Sequence, residues 1–382
     1  MINQKRLADL FKHLAEIDSL SKEEGRIATE LKAILESMGA SVVFDRAGEK
    51  LGGETGNLVA KFSGTVNAPP LLLSGHMDTV HPGKGVKAIL KEGVFTSDGT
   101  TILGADDKSA IAIIIETIRV LQENTLPHGP LEVVFTICEE IGLLGAKHFD
   151  FSLITADSGY ILDSTDKNGI VTQSPTAYKF NITIHGKDAH AGANPEEGVN
   201  AIHVAAKAMA ELHIGRIDHE TTCNIGKIKG GMAVNVVPNM VVLEGEARSM
   251  NPLKVENLLG EIFDHFKKSV ESFRSASPDP NLPAIDIQTA MEFPGTNIPD
   301  DHPVVRLAQK AGKNLNRDLK PITIGGGSDA NIFFGKGIVT GVLCPGMTDP
   351  HTLRESVSME DMVFATAHLL EIIRIHASGE AY

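Results

Sequence analysis

Leu71-Leu72-Leu73-Ser74-Gly75-His76-Met77-Asp78-Thr79-Val80 starts with three large apolar residues behind Pro69 and Pro70 and then sets a histidine and an aspartate two positions apart. A short unbroken apolar run of this kind reads as a strand buried on both faces, as in a parallel sheet covered by helices. In extended chain, residues i and i+2 point the same way. His76 and Asp78 therefore face one spot, with Asp78 placed to accept the ring N–H of His76, the pairing that fixes a metal-bound imidazole in one tautomer. Alone, a His-x-Asp at a strand end is equally satisfied by water. Its weight comes from the recurrence of the same pattern along the chain.

Upstream, residues 4–17 read as an amphipathic helix. Ser21 with Glu24 forms a capping box for a second helix that runs to Met38 and stops at Gly39. Ser41 to Phe44 and Asn57 to Phe62 read as strands joined by a glycine-rich turn. Downstream, Val94 to Asp98 is a short strand, and a loop from Gly99 leads to Gly104-Ala105-Asp106-Asp107. A helix from Lys108 to Glu123 follows, with Asp106 or Asp107 at its cap. Leu131 to Ile137 is a buried strand ending at Cys138-Glu139-Glu140, Gly145 to Phe149 a helical turn, and Ser158 to Leu162 a strand ending at Asp163. Strands alternating with helices predict an α/β fold, a mostly parallel sheet with helices on both faces.

The pattern then changes. Strand (178–185), helix (197–213), strands (222–229 and 234–248), helix (252–273) and strand (284–292) give the β-α-β-β-α-β order of a ferredoxin-like domain, with Ala276 to Pro283 as its last loop. After Pro294 the alternation resumes: a helix near 302–313, a strand at 321–324, a glycine loop at 325–327, a strand at 338–343, then His351 and a helix from Ser358 to His376. The expected organisation is a discontinuous catalytic domain (1–175 and 295–382) interrupted by an inserted domain (176–294).

Two domains also suit a chain of 382 residues, which exceeds what one core usually supports. A formal net charge of −14 without any Lys/Arg cluster argues against nucleic acid or an anionic membrane as partner. The acidic excess suits a carboxylate-rich cation site. The first residues carry charges where a signal peptide needs an apolar core, and no run of eighteen apolar residues occurs. Cys138, Cys223 and Cys344 are too dispersed for a disulfide framework, so a reduced, cytoplasmic protein is expected.

The polar residues that follow buried strands or open helices are His76, Asp78, Asp106, Asp107, Glu139, Glu140, Asp163 and His351. In open α/β sheets the ligand site lies beyond the carboxyl ends of the strands, where these residues fall. Two histidines with several carboxylates suit zinc, or manganese or cobalt, and so many ligands favour a pair of ions. A bridging ligand must offer two oxygens, and Asp106 is assigned that role. Adjacent Glu139 and Glu140 cannot both point the same way, so Glu140 is assigned as ligand and Glu139 as general base.

His-Met-Asp-Thr (76–79), Leu-Gly-Ala-Asp-Asp-Lys (103–108), Glu-Glu-Ile-Gly (139–142), Asp163 and His351 together resemble the co-catalytic dizinc metallopeptidases, which include tripeptidase T, glutamate carboxypeptidase and the aminoacylases. The resemblance covers nearly all of the chain and is nearest to the peptidase T-like branch. It implies His76 and Asp163 on one zinc, Glu140 and His351 on the other, and Asp106 between them before a cis peptide to Asp107. It also implies that Asp78 orients His76 and that Glu139 activates the bridging water. Aspartate at the position of Asp163 leans toward peptides with a free amino terminus.

In the inserted domain, Gly186-Lys187-Asp188-Ala189-His190-Ala191-Gly192 resembles the segment carrying the family's transition-state-stabilising histidine, which in dimeric members reaches the partner's active site. Asn235 and Arg248 resemble residues that hold the substrate backbone and its carboxylate, for which arginine's planar fork is suited. Gly326 and Gly327, in Gly325-Gly326-Gly327-Ser328-Asp329, resemble the glycine loop beside the substrate; no Gly-Lys-Ser/Thr follows, which excludes a phosphate loop. The expected activity is hydrolysis of short peptides from the amino terminus, possible as a homodimer through the inserted domain. N-acyl amino acid deacylation, carboxypeptidase action and a catalytically silent metal-binding module are the alternatives.

Overall fold

A computed structural model describes residues 1–275 and 277–379; Ala276, at the head of the loop expected over 276–283, lies outside the described residues. Two compact units result, one formed by Met1–Ser174 with Thr296–Tyr382 and the other by Pro175–Gly295.

The first unit is built on a nine-stranded sheet. Its order is Ser41–Phe44, Leu58–Phe62, Leu131–Thr136, Leu71–His76, Ser158–Ile161, Val339–Val342, Gly169–Ser174 and Thr296–Asn297, with Lys320–Thr323 also paired to Gly169–Ser174. All six residues of Leu71–His76 and all six of Leu131–Thr136 are buried. These two strands run parallel, as do Leu71–His76 with Ser158–Ile161 and Ser158–Ile161 with Val339–Val342. Toward the edges the pairing is antiparallel, apart from Lys320–Thr323, which runs parallel to Gly169–Ser174. The sheet is therefore mixed: parallel in the centre, where helices must cross over, and mostly antiparallel outside it.

Register aligns the carboxyl ends of the central strands. His76 lies opposite Thr136 and Ser74 opposite Ile161, so the residues after each strand emerge side by side. The helix Ala105–Glu123 is buried along most of its length, as its run of isoleucine and alanine requires, and it packs on Leu71–His76. A Cβ on Gly75 would stand 2.6 Å from Asp107 Oδ2, so glycine there is what lets this helix start lie against the strand. A small antiparallel sheet joins Met347–Thr348, Ser356–Ser358, Val94–Thr96 and Ile89–Lys91, and its first hairpin carries the loop holding His351.

Several expectations change. The strand Gly169–Ser174 had no counterpart in the sequence pattern, because it is separated from Thr176–His185 by a single proline and merges with it. Between Ser41–Phe44 and Leu58–Phe62 stands a short helix, Ala47–Leu51, instead of a plain turn. The second helix begins at Gly25 with no side-chain cap, so Ser21 and Glu24 do not form a capping box. Asp106 and Asp107 do not cap the next helix either; both have non-helical backbone angles within its first turn.

The second unit is a five-stranded antiparallel sheet in the order Gly215–Arg216, Thr221–Gly230, Met240–Ser249, Thr176–His185 and Ala284–Phe293. Helices Ala201–Ala210 and Pro252–Arg274 pack on each other and on the sheet. Phe180, Ile182 and Ile184 alternate inward and meet Val204, Leu243, Ile262 and Phe266 in a core of their own. The strand expected from 234 starts only at Met240, and residues 233–239 form a loop hydrogen-bonded to 187–191. Pro238, lacking an N–H, cannot donate to a ladder there. Among the described residues, no helix is long and apolar enough to cross a membrane.

Candidate metal centre

Asp106 is the hinge of the site. Gly104 takes a left-handed conformation (φ 74°), a cis peptide joins Asp106 to Asp107, and the helix proper continues from there. The Asp106 carboxylate then presents one oxygen to each of two imidazoles: Oδ1 lies 2.9 Å from His76 Nε2, and Oδ2 lies 3.2 Å from His351 Nε2. His351 Nε2 is also 2.9 Å from Glu140 Oε1. Ligand atoms of His76, Asp106 and Glu140 fall within 4.8 Å of one another, as do those of Asp106, Asp107 and Asp163. Two groups sharing one aspartate are what a pair of cations needs. His76 falls in the group with Glu140, and Asp163 in the group with Asp107, which the sequence reading offered only as a helix cap.

Asp78 faces His76 and does more than the sequence expectation gave it. His76 Nδ1 lies 2.9 Å from the backbone carbonyl of Asp78, and 3.5 Å from the carboxylate. The carbonyl is thus the nearer of two Asp78 groups facing the ring, and the carboxylate also reaches the acidic pair. Asp78 Oδ1 accepts the N–H of Glu139 at 2.9 Å, and Oδ2 accepts that of Glu140 at 3.2 Å and the Ser21 hydroxyl at 2.6 Å. Glu24, freed from helix capping, accepts the N–H of Cys138 at 3.0 Å. Cys138 itself has φ 52°, so the turn carrying the two glutamates is held at three successive amides.

The charge balance fits cations. Glu139 is raised well above the usual carboxylate range, first by burial and then by Asp163, Asp329 and Glu140, against the opposing pull of His76. Asp163 and Asp107 are raised for the same reasons. For His76, hydrogen bonds to Asp106 and Asp78 outweigh the burial that would lower it, and the net shift is upward. Asp106 and Glu140 lift His351 to about 10. Asp107 Oδ1 and Asp329 Oδ1 are buried with no hydrogen-bond partner among the described residues. Crowded carboxylates of this kind are costly to desolvate unless positive charge is supplied. The mixed imidazole and carboxylate donors suit zinc, manganese or cobalt.

The remaining predicted residues divide. The glycine loop with Gly326 and Gly327 joins Lys320–Thr323 to the helix Asp329–Gly335, and a Cβ at Gly326 would meet no atom within 4 Å. In the second unit His190 is exposed, and its Nδ1 accepts the N–H groups of Gly192 (3.2 Å) and Ala193 (3.1 Å). That leaves Nε2 as the protonated nitrogen of the neutral ring, facing outward as a donor. Asn235 belongs to the loop laced to His190, its carbonyl accepting from Ala191 at 2.9 Å. Arg248 lies eight positions along its strand from Met240, about 26 Å by strand rise, beside Phe293 and paired with Glu246 at 3.0 Å. Within this unit the structure therefore gathers His190 with Asn235 and sets Arg248 apart.

Sequence patterns did not flag Glu355, and they read Ser21 and Glu24 only as a helix cap and Asp329 only as the end of the glycine loop. The signal available was proximity: Glu355 follows His351 by four residues, and Asp329 follows the glycine loop.

Residues 57–174 match the family model of peptidase family M28, and residues 172–273 match that of an M20 peptidase dimerisation domain. The protein YqjE of Bacillus subtilis is 40% identical over 98% of this chain and 99% of its own length. The crystal structure of aminopeptidase PepT from Bacillus cereus shares 39% identity, covers 99% of each chain and gives a TM-score of 0.90. That of a tripeptidase from Staphylococcus aureus shares 37% identity over 99% of this chain and 100% of the other, with a TM-score of 0.93.

Proposed function

From the premise that this chain belongs to the peptidase T-like branch of the M20 metallopeptidases, hydrolases of peptide bonds that depend on bound metal, we propose that it is an aminopeptidase of the tripeptidase type. The observation that carries this reading is Asp106 offering one oxygen to each imidazole, with Glu139 buried alongside. His76, Asp106, Glu140, Asp163 and His351 are the residues proposed to hold two zinc ions, with manganese or cobalt as substitutes. Bound there, the ions supply the Lewis acidity that brings a water's pKa toward neutrality and polarises the scissile carbonyl.

The chain's own residues do the rest. Glu139, whose carboxyl is shifted upward, accepts the proton of the attacking water and then delivers it to the leaving amine. Asp78 holds Glu139 and Glu140 by their amides, so the base cannot drift from the water. His190, through its Nε2–H, donates to the oxygen on which negative charge develops. Asn235 and Arg248 hold the peptide backbone and its carboxylate, and the glycine loop of Gly326 and Gly327, open at Gly326, receives the substrate.

The substrate is a short peptide, and nucleic acid is not a partner for a chain of net charge −14. A homodimer through residues 176–294 is supported by the M20 dimerisation match and by a free sheet edge, where Gly215–Arg216 covers Thr221–Gly230 only at Thr222 and Cys223. Three free thiols suit a reducing compartment, the cytoplasm. Parallel assays on a tripeptide, its N-acetylated form and an N-acyl amino acid test the reading. Turnover of the free tripeptide alone is expected; preferred turnover of either acylated compound would move the assignment to deacylation.

A further inference from the structure

The backbone that delivers Asp106 is gripped from far along the chain. Glu355, 1% exposed, reaches it from across the sequence: its Oε2 accepts the N–H of Leu103 at 2.7 Å and of Gly104 at 2.8 Å, and its Oε1 accepts the N–H of Asp106 at 2.9 Å. Three amide donors on one buried carboxylate, the last belonging to the shared aspartate, fix that backbone in place.

Glu355 is also the fourth residue after His351, on the same hairpin loop. That loop is stiffened from within: Glu355 N donates to Thr352 O at 3.1 Å, Thr352 Oγ1 to Asp349 O at 2.9 Å, and Arg354 N to Thr352 Oγ1 at 3.1 Å. Its base is the paired segment Met347–Thr348 with Ser356–Ser358, the latter zipped to Val94–Thr96. One rigid loop thus carries His351 and grips the backbone of Asp106, whose side chains meet at 3.2 Å.

We propose that Glu355 is a positioning residue of the metal centre: by clamping residues 103–106 it fixes the span between Asp106 and His351 and thereby sets the affinity for the cations. This rests on the metal-centre reading above. Glu132 provides an internal comparison. It is 3% exposed and clasps backbone in the same way, accepting the N–H of Thr155 at 2.7 Å and of Ala156 at 2.9 Å, but at the opposite end of the strand Leu131–Thr136.

The test is cobalt(II) titration of metal-free wild type, Glu355→Gln and Glu132→Gln, followed by the visible absorption of the bound ion and by chelator competition, with thermal melts of each metal-free protein. Glutamine keeps one acceptor oxygen but turns an N–H₂ toward an amide donor, so one side of the clamp must open. Glu355→Gln is expected to weaken cobalt binding about 10- to 100-fold, the range for losing a residue that orients a ligand. Glu132→Gln is expected to lower the melting temperature and leave affinity within about twofold, since it orients no ligand. Unchanged affinity in Glu355→Gln, or equal weakening in both variants, overturns the proposal. If Glu355→Gln does not fold, Glu355→Asp keeps the charge with a shorter reach; weaker binding supports the clamp, and wild-type affinity overturns it. Failure of the wild type to bind cobalt would instead refute the metal-centre reading on which the proposal rests.

Discussion

The two units present their functional groups in opposite ways. In the first, His76, Asp106 and Glu139 are buried, and buried carboxylates clasp the backbone that carries Asp106 and the glutamate pair. In the second, His190 and Asn235 stand exposed on loops, tied to each other chiefly through main chain. The difference separates two physical tasks. Concentrating negative charge around cations requires a scaffold that cannot relax, because any relaxation would let carboxylates move apart or protonate. Meeting a peptide that arrives from water requires accessible donors whose desolvation is deferred until binding.

This contrast predicts a ladder of effects. Glu139→Gln should lower kcat by about 10³- to 10⁴-fold, near the upper range for a general base, while metal content by elemental analysis stays at the wild-type level. A variant with intact metal and near-normal turnover would remove Glu139 from the chemistry. His190→Ala should cost about 10²- to 10³-fold in kcat, as for loss of one oxyanion donor, with little change in KM. Mixing it with Glu139→Gln subunits sharpens the point: about a quarter of wild-type activity should return if His190 serves the partner's site in a symmetric dimer. No recovery would place its action within its own chain.

A third test concerns burial alone. His368 lies buried on the helix Met359–Ser378, with Nε2 2.8 Å from Ala308 O, and burial lowers its pKa to about 4. Its folded-state pKa is below the ordinary value near 6.5, so its contribution is fully present above that pH and is lost as pH falls toward 4. Roughly 3 kcal/mol is at stake across this window. Denaturant titrations of wild type and His368→Gln at pH 7 and pH 4.5 should show the wild type losing more; parallel losses would contradict it. The smallest effect is expected at Arg248, half-buried beside Phe293. Arg248→Ala should raise KM about tenfold and spare kcat, because it removes binding felt equally by ground state and transition state. A fall in kcat alone would assign it to the chemistry.

The legible parts of the molecule were those with local signatures. Leu71–His76 and Leu131–Thr136 announce themselves as apolar runs, and the polar residues beyond them mark where a ligand can sit. Asp106 follows from its place between a loop and a strong helix. The strand Gly169–Ser174 was hidden because only Pro175 separates it from the next strand, across the boundary between the units. The role of Ser21 and Glu24 was misread because Ser-x-x-Glu before a helix is also a capping signature. Glu355 left no trace beyond its nearness to His351: a side chain accepting an amide 252 residues away has no period and no spacing rule. Asp78 was seen as significant, but its carboxylate's preference for the amides of Glu139 and Glu140 depends on a turn that only coordinates reveal.

The central claim is that one aspartate is shared by two cations. It is tested most directly by measuring zinc per chain, by elemental analysis after equilibrium dialysis, in wild type and in Asp106→Asn. Two ions per chain in the wild type and loss of both in the variant are predicted. One ion in the wild type, or a variant that sheds only one of two, would contradict it.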